Sequence, residues 1–107
     1  MLYKFKSKAA GDLIMLEPNG RRVLEIIGKS PGPKGIIEAG QMPAAIAALE
    51  AAIAREEADQ QQAIEEAKAK GEVPPTFGDV SLRQRAVPFI DMLKRCDKAG
   101  KEIVWGV

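Results

Sequence analysis

Between Pro43 and Gly71 the chain contains no proline and no glycine, and alanine, glutamate, glutamine and lysine fill most of the interval. All four are strong helix formers. A helix over residues 43–70 is about 42 Å long at 1.5 Å per residue, whereas a compact chain of 107 residues measures about 34 Å across. Such a helix must break or stick out of the body. Ile46, Leu49 and Ile53, with Ala45 and Ala52 beside them, form an apolar stripe over its first half, but the same register then meets Glu56 and Gln60 before reaching Ala63 and Ala67. The first half is expected to pack. Residues 54–71, which include Ile64, read as a solvated projection or a partner surface, supported by Glu65 with Lys68 and Glu66 with Lys70 at helical spacings.

The last quarter of the chain is the best specified locally. Ser81 and Gln84 fit a capping box, in which the serine hydroxyl accepts from the Gln84 amide and the glutamine reaches back. Leu82, Ala86, Phe89, Leu93 and Cys96, with Ile90 alongside, then define one buried face of a helix over residues 81–99. Pro88 removes one helical hydrogen bond, Gly100 ends the helix, and Ile103, Val104 and Trp105 read as a terminal strand.

At the other end Tyr3, Phe5 and Ser7 alternate with Lys4, Lys6 and Lys8, the pattern of a half-buried strand whose wet face is basic. Lysines on an exposed strand commonly guard a sheet edge against pairing with other chains. Residues 9–12 suggest a turn and residues 13–16 the second strand of a hairpin. Val23, Leu24 and Ile27 recur at helical spacing and Gly28 suits a helix end, so residues 19–28 read as a short helix; Asn19 and Gly20 could instead turn a hairpin. GKSPGPKG at 28–35 is a loop. Its Gly28, Lys29 and Ser30 mimic the tail of a phosphate-binding loop, but the required earlier glycine is replaced by Val23 and the run closes a helix instead of opening one. Residues 36–38 read as a third short strand, and residues 71–80, with Pro74 and Pro75, as an extended linker that Phe77 and Val80 could pin to the core.

Residues 1–107 then make one domain of α+β class. The expected sheet is small and mostly antiparallel, with three or four short strands and the N- and C-terminal strands paired, packed against two longer helices and one short helix. The runs YKFKSKA at 3–9, GII at 35–37, MPAAIAALEAAI at 42–53, SLRQRA at 81–86 and IVWGV at 103–107, with Pro88 and Met92 between the last two, resemble a small proteobacterial family designated a domain of unknown function, DUF1840. The resemblance spans nearly the whole chain and implies a compact α+β fold, with no activity and no catalytic residues to carry over.

The chemistry available is narrow. Without histidine the chain lacks the usual general base and transition-metal ligand, and one cysteine cannot build a thiolate zinc site or an internal disulfide. No metal or cofactor is expected, and Cys96 reads as a core residue. Glu56 with Glu57 and Glu65 with Glu66 diverge around a wet helix and read as solubilising, while a carboxylate and arginine site from Asp91, Arg83 and Arg85 lacks any fixed geometry. Residues 1–8 lack the apolar core of a signal peptide, and no apolar run approaches the ~20 residues of a membrane span. A cytosolic protein that is not an enzyme is expected.

Net charge is +1, but it is distributed as +3 over residues 1–41, −5 over 42–80 and +3 over 81–107. The leading expectation is a protein-interaction module acting through the long helix, by way of Ile46, Leu49, Ile53 and Ile64, with an unidentified protein or as a homodimer. The alternative is nucleic-acid or small-anion binding by a basic surface made of Lys4, Lys6, Lys8, Arg83 and Arg85. Arginines in the first turn of a helix oppose its dipole, so these two either pair with carboxylates such as Asp79 or Glu38, or serve as an anion clamp.

Overall fold

The computed structural model describes residues 2–76 and 81–106. The alternation of residues 2–7 forms strand β1 (Leu2–Ser7), which turns at Lys8 and Ala9 into β2 (Ala10–Leu16). The turn thus precedes the expected one, and a register shift between Phe5 and Ser7 takes up the difference. Helix α1 (Glu17–Ile26) starts directly from β2. Pro18 sits in its first turn, where the missing amide has no partner to lose. Asn19 and Gly20 therefore lie inside a helix, and Gly20 is there for clearance: a Cβ on it would stand 2.4 Å from the Tyr3 ring.

Strand β3 (Gly35–Ile37) and a single 3-10 turn (Ala39–Gln41) lead into α2 (Met42–Ala69), an unbroken helix of 28 residues. It does stick out, and the molecule measures 53 × 28 × 21 Å. Its second half is less wet than expected, since Gln60, Ala63 and Ile64 are half-buried and Ala67 is buried. Glu65 and Glu66 accept hydrogen bonds from Gln61 and Gln62, one turn back, in place of the expected lysine partners. Helix α3 (Leu82–Ala99) carries the capping box between Ser81 and Gln84 and runs through Pro88 without interruption. All three helices end on a left-handed glycine, Gly28, Gly71 or Gly100, with the pair of reversed amide bonds that satisfies the last carbonyls. Strand β4 (Ile103–Trp105) closes the chain. The suggested anchors Phe77 and Val80, and the suggested arginine partner Asp79, lie outside the described residues.

The sheet is antiparallel in the order β2-β1-β4-β3, so the first and last strands pair, with Phe5 opposite Trp105 and Lys6 opposite Val104. All three helices cover one face. Tyr3, Phe5, Met15, Ile37, Ile103 and Trp105 turn toward them and meet Leu49, Phe89, Leu93 and Cys96 in one core. The Phe5 and Phe89 rings stand 4.7 Å apart. No described helix is long and apolar enough to cross a membrane.

Candidate functional site

Because side chains alternate across a strand, turning Tyr3 and Phe5 inward leaves the other face of the sheet to Leu2, Lys4 and Lys6. The pairing continues that face across the sheet: Leu2 lies opposite Leu16, Lys4 opposite Ile14, and Val104 between Lys6 and Ile36. No described residue covers it. Leu2 is 58% exposed, Ile14 57%, Leu16 62% and Ile36 43%, and among described residues these four account for most of the large apolar side chains left in water. The lysines form a column with aliphatic side chains on both sides.

The position of β1 removes the edge-guard explanation for Lys6, which lies opposite Val104, but not for Lys4, which β4 does not reach. A lysine guards an edge only on an edge strand, and β1 lies inside the sheet between β2 and β4. The exposed edges belong to β2 and to β3, and neither carries a lysine. Lys4 has Asp12 within 3.5 Å, a pair about half exposed on both sides and therefore weak. Lys8 is exposed in the hairpin turn.

Arg83 and Arg85 are not brought to this face. They lie on the helical side of the sheet, and both are engaged. Arg83 donates from Nε and Nη2 to the two Glu57 oxygens at 2.7 and 2.8 Å, and Arg85 donates to the Asn19 side-chain oxygen. The Arg83 fork holds the Glu57 carboxyl below its ordinary range, and Glu57 in turn raises Arg83. Neighbouring Glu56 accepts from the Leu82 amide at 3.0 Å and lies 3.5 Å from Arg22. The adjacent carboxylates expected to solubilise α2 instead clasp the start of α3, and Glu56 satisfies one of its free amides. The continuous basic surface drawn from the sequence is therefore two separate sets, a lysine column and a pair of structural arginines.

The long-helix surface is likewise divided. Leu49 and Ile53 are buried in the chain's own core, and Ile46 and Ile64 are half-buried. The stripe that seemed available to a partner is occupied by α3 and the sheet. Cys96 is buried in the core without a bridge, and no group of three or more His, Cys, Asp or Glu among the described residues is placed to hold a metal ion.

A profile of the family described as a domain of unknown function, DUF1840, matches residues 1–105. The chain belongs to that family. Its description carries no activity, and no curated protein or solved structure matches the chain. For this DUF1840 member the sheet face is thus read from its own residues. The signal for it was present in the sequence at Lys4 and Lys6, but not at Ile14 and Leu16, because residues 13–16 are all apolar and show no alternation.

Proposed function

We propose that the protein is a non-enzymatic interaction module that docks an acidic amphipathic segment of a partner protein on the open face of its sheet. The observation that carries this reading is the lysine column flanked by exposed aliphatic side chains, with Lys6 inside the sheet opposite Val104. Leu2, Ile14 and Leu16 on one side, and Val104 and Ile36 on the other, offer apolar area, while Lys4 and Lys6 select carboxylates. Size favours one segment over a second copy. Strands about 4.8 Å apart with 3.3 Å per residue give this face roughly 300 Å², less than half of the ~800 Å² per partner in a standard stable interface. A single helix or strand laid across the lysines fits that area. The buried, unbridged Cys96 suits a reducing compartment such as the cytosol.

Nucleic acid fits less well. Single-stranded binders stack bases on exposed aromatic rings, and the described aromatic residues, Tyr3, Phe5, Phe89 and Trp105, are turned into the core.

The test is to titrate the protein with a synthetic amphipathic helix of leucine and glutamate while following backbone amide resonances. Shifts confined to the four strands β1 to β4, lost in Leu16→Glu and weakened by salt, are the expected result. Shifts along α2, or equal binding of the same helix with lysine in place of glutamate, would overturn the reading.

A further inference from the structure

At one edge of the open face the sheet has a notch. Among the described residues β4 pairs with β1 only at Phe5 and Lys6, so residues 2–4, paired with β2 on one side, have no strand on the other. A cleft of about 400 Å³ opens there, between β1, the first turns of α1 and the loop at 31–33, within the ~300–1,000 Å³ typical of ligand pockets.

Its apolar walls are held rigidly. The Tyr3 hydroxyl donates to the Pro31 carbonyl at 2.9 Å, and the Trp105 indole donates to the Gly32 carbonyl at 3.1 Å. Beyond Trp105, Gly106 has a φ of 75°, and a Cβ on it would stand 2.0 Å from the Pro33 carbonyl oxygen. The loop that carries Pro31 and Pro33 is thus fastened by two hydrogen bonds and packed closely against Gly106, and the cleft exists before any ligand arrives. A preformed site avoids the ordering cost of binding.

The charges around it are unbalanced. Among the described residues that line it, Lys4 and Arg21 stand with one carboxylate, Glu17. Arg21 and Glu17 stand 3.5 Å apart with the arginine half exposed, and the Lys4 partner Asp12 is equally distant and lies outside the cleft. Neither pair is strong enough to hold its cation from a better anion. Arginine offers the fork geometry that carboxylates and phosphates accept.

We propose that this cleft binds a small organic anion, a flat ring bearing one carboxylate or phosphate, with the ring against Leu2, Pro33 and the edge of Trp105 and the anion between Lys4 and Arg21. The cleft shares Leu2, Lys4 and Lys6 with the peptide surface but reaches beyond it to Arg21, Pro33 and Trp105, while Ile14, Leu16 and Ile36 take no part in it.

Trp105 is the single tryptophan of the chain, so its fluorescence reports on the cleft. Benzoate and phenyl phosphate are titrated in turn, with benzyl alcohol and inorganic phosphate as controls. A saturable change with either organic anion is expected, weakened at least about tenfold by Arg21→Glu, as for a lost charged hydrogen bond, and unchanged by Leu16→Glu. Lys4→Glu repeats the measurement should Arg21→Glu fold poorly. Silence with both organic anions, full binding in the charge-reversed variants, or equal binding of benzyl alcohol or of phosphate alone would overturn the proposal. Loss of peptide docking in Leu16→Glu with anion binding intact distinguishes the two activities.

Discussion

The two faces of the sheet are made from the same four strands and share almost nothing else. The inner face carries the chain's described aromatic side chains on the sheet, Tyr3, Phe5 and Trp105, each less than a tenth exposed. The outer face carries lysine and aliphatic residues in water. Burial makes inner positions intolerant of any change in volume, whereas outer positions are free to serve a surface chemistry. Specificity for the fold and the proposed docking surface are divided between alternate residues of β1.

Substitutions along β1, β2 and α1 measure how complete that division is. The largest effect is expected from Phe5→Ala, which empties a fully buried site against Phe89 and Trp105; a loss of about 3–5 kcal/mol in urea unfolding is the expected outcome, and less than 1 kcal/mol would break the comparison. Gly20→Ala comes next, because the added methyl meets the Tyr3 ring. Overpacking of this kind costs about 1–3 kcal/mol, read from the same unfolding curve.

The Glu57 and Arg83 pair tests whether charge outside the core holds the helical layer. Its carboxyl titrates below the ordinary value of 4.5 through its hydrogen bonds with Arg83. On acidification the unfolded chain therefore takes up this proton first, so the pair stabilises the fold in full above about pH 5 and ceases to do so as pH falls past the lowered value. The urea midpoint is expected to fall more between pH 7 and about pH 4 in the native chain than in Glu57→Gln, and by a small margin because both groups are exposed. Equal slopes would mean that the pair does not act on stability. The smallest effect belongs to the outer face: Leu16→Glu should change stability by no more than about 0.5 kcal/mol while abolishing peptide docking. A large loss of stability there would show that the face is part of the core after all.

The parts of the molecule that were legible in the sequence are those written in local spacing. Ser81 with Gln84, the alternation at Tyr3 to Lys8, the glycines at the helix ends and the pairing of the terminal strands all follow from residues near one another or from a clear periodicity. The clasp of α3 was not legible, because Glu56 meets Leu82 and Glu57 meets Arg83 across 26 positions, and no spacing signals such a pair. The notch was hidden for a similar reason. It depends on where β4 stops relative to β1, and on Tyr3 and Trp105 donating to loop carbonyls 28 and 73 residues away. Lys4 and Lys6 were identified as candidates, but the company they keep, Ile14, Leu16 and Arg21, is set by register and not by sequence proximity.

The uninterrupted α2 also governs how the molecule moves through solvent. Its radius of gyration is 16.0 Å, against about 13 Å for a compact chain of this length. A single copy will therefore drag like a heavier sphere and leave a sizing column early, in a position that resembles self-association. Tumbling will be faster about the long axis than across it, so the amides of α2, aligned with that axis, should relax differently from those of the sheet. Mass from scattered light, independent of shape, is the measurement that counts its copies.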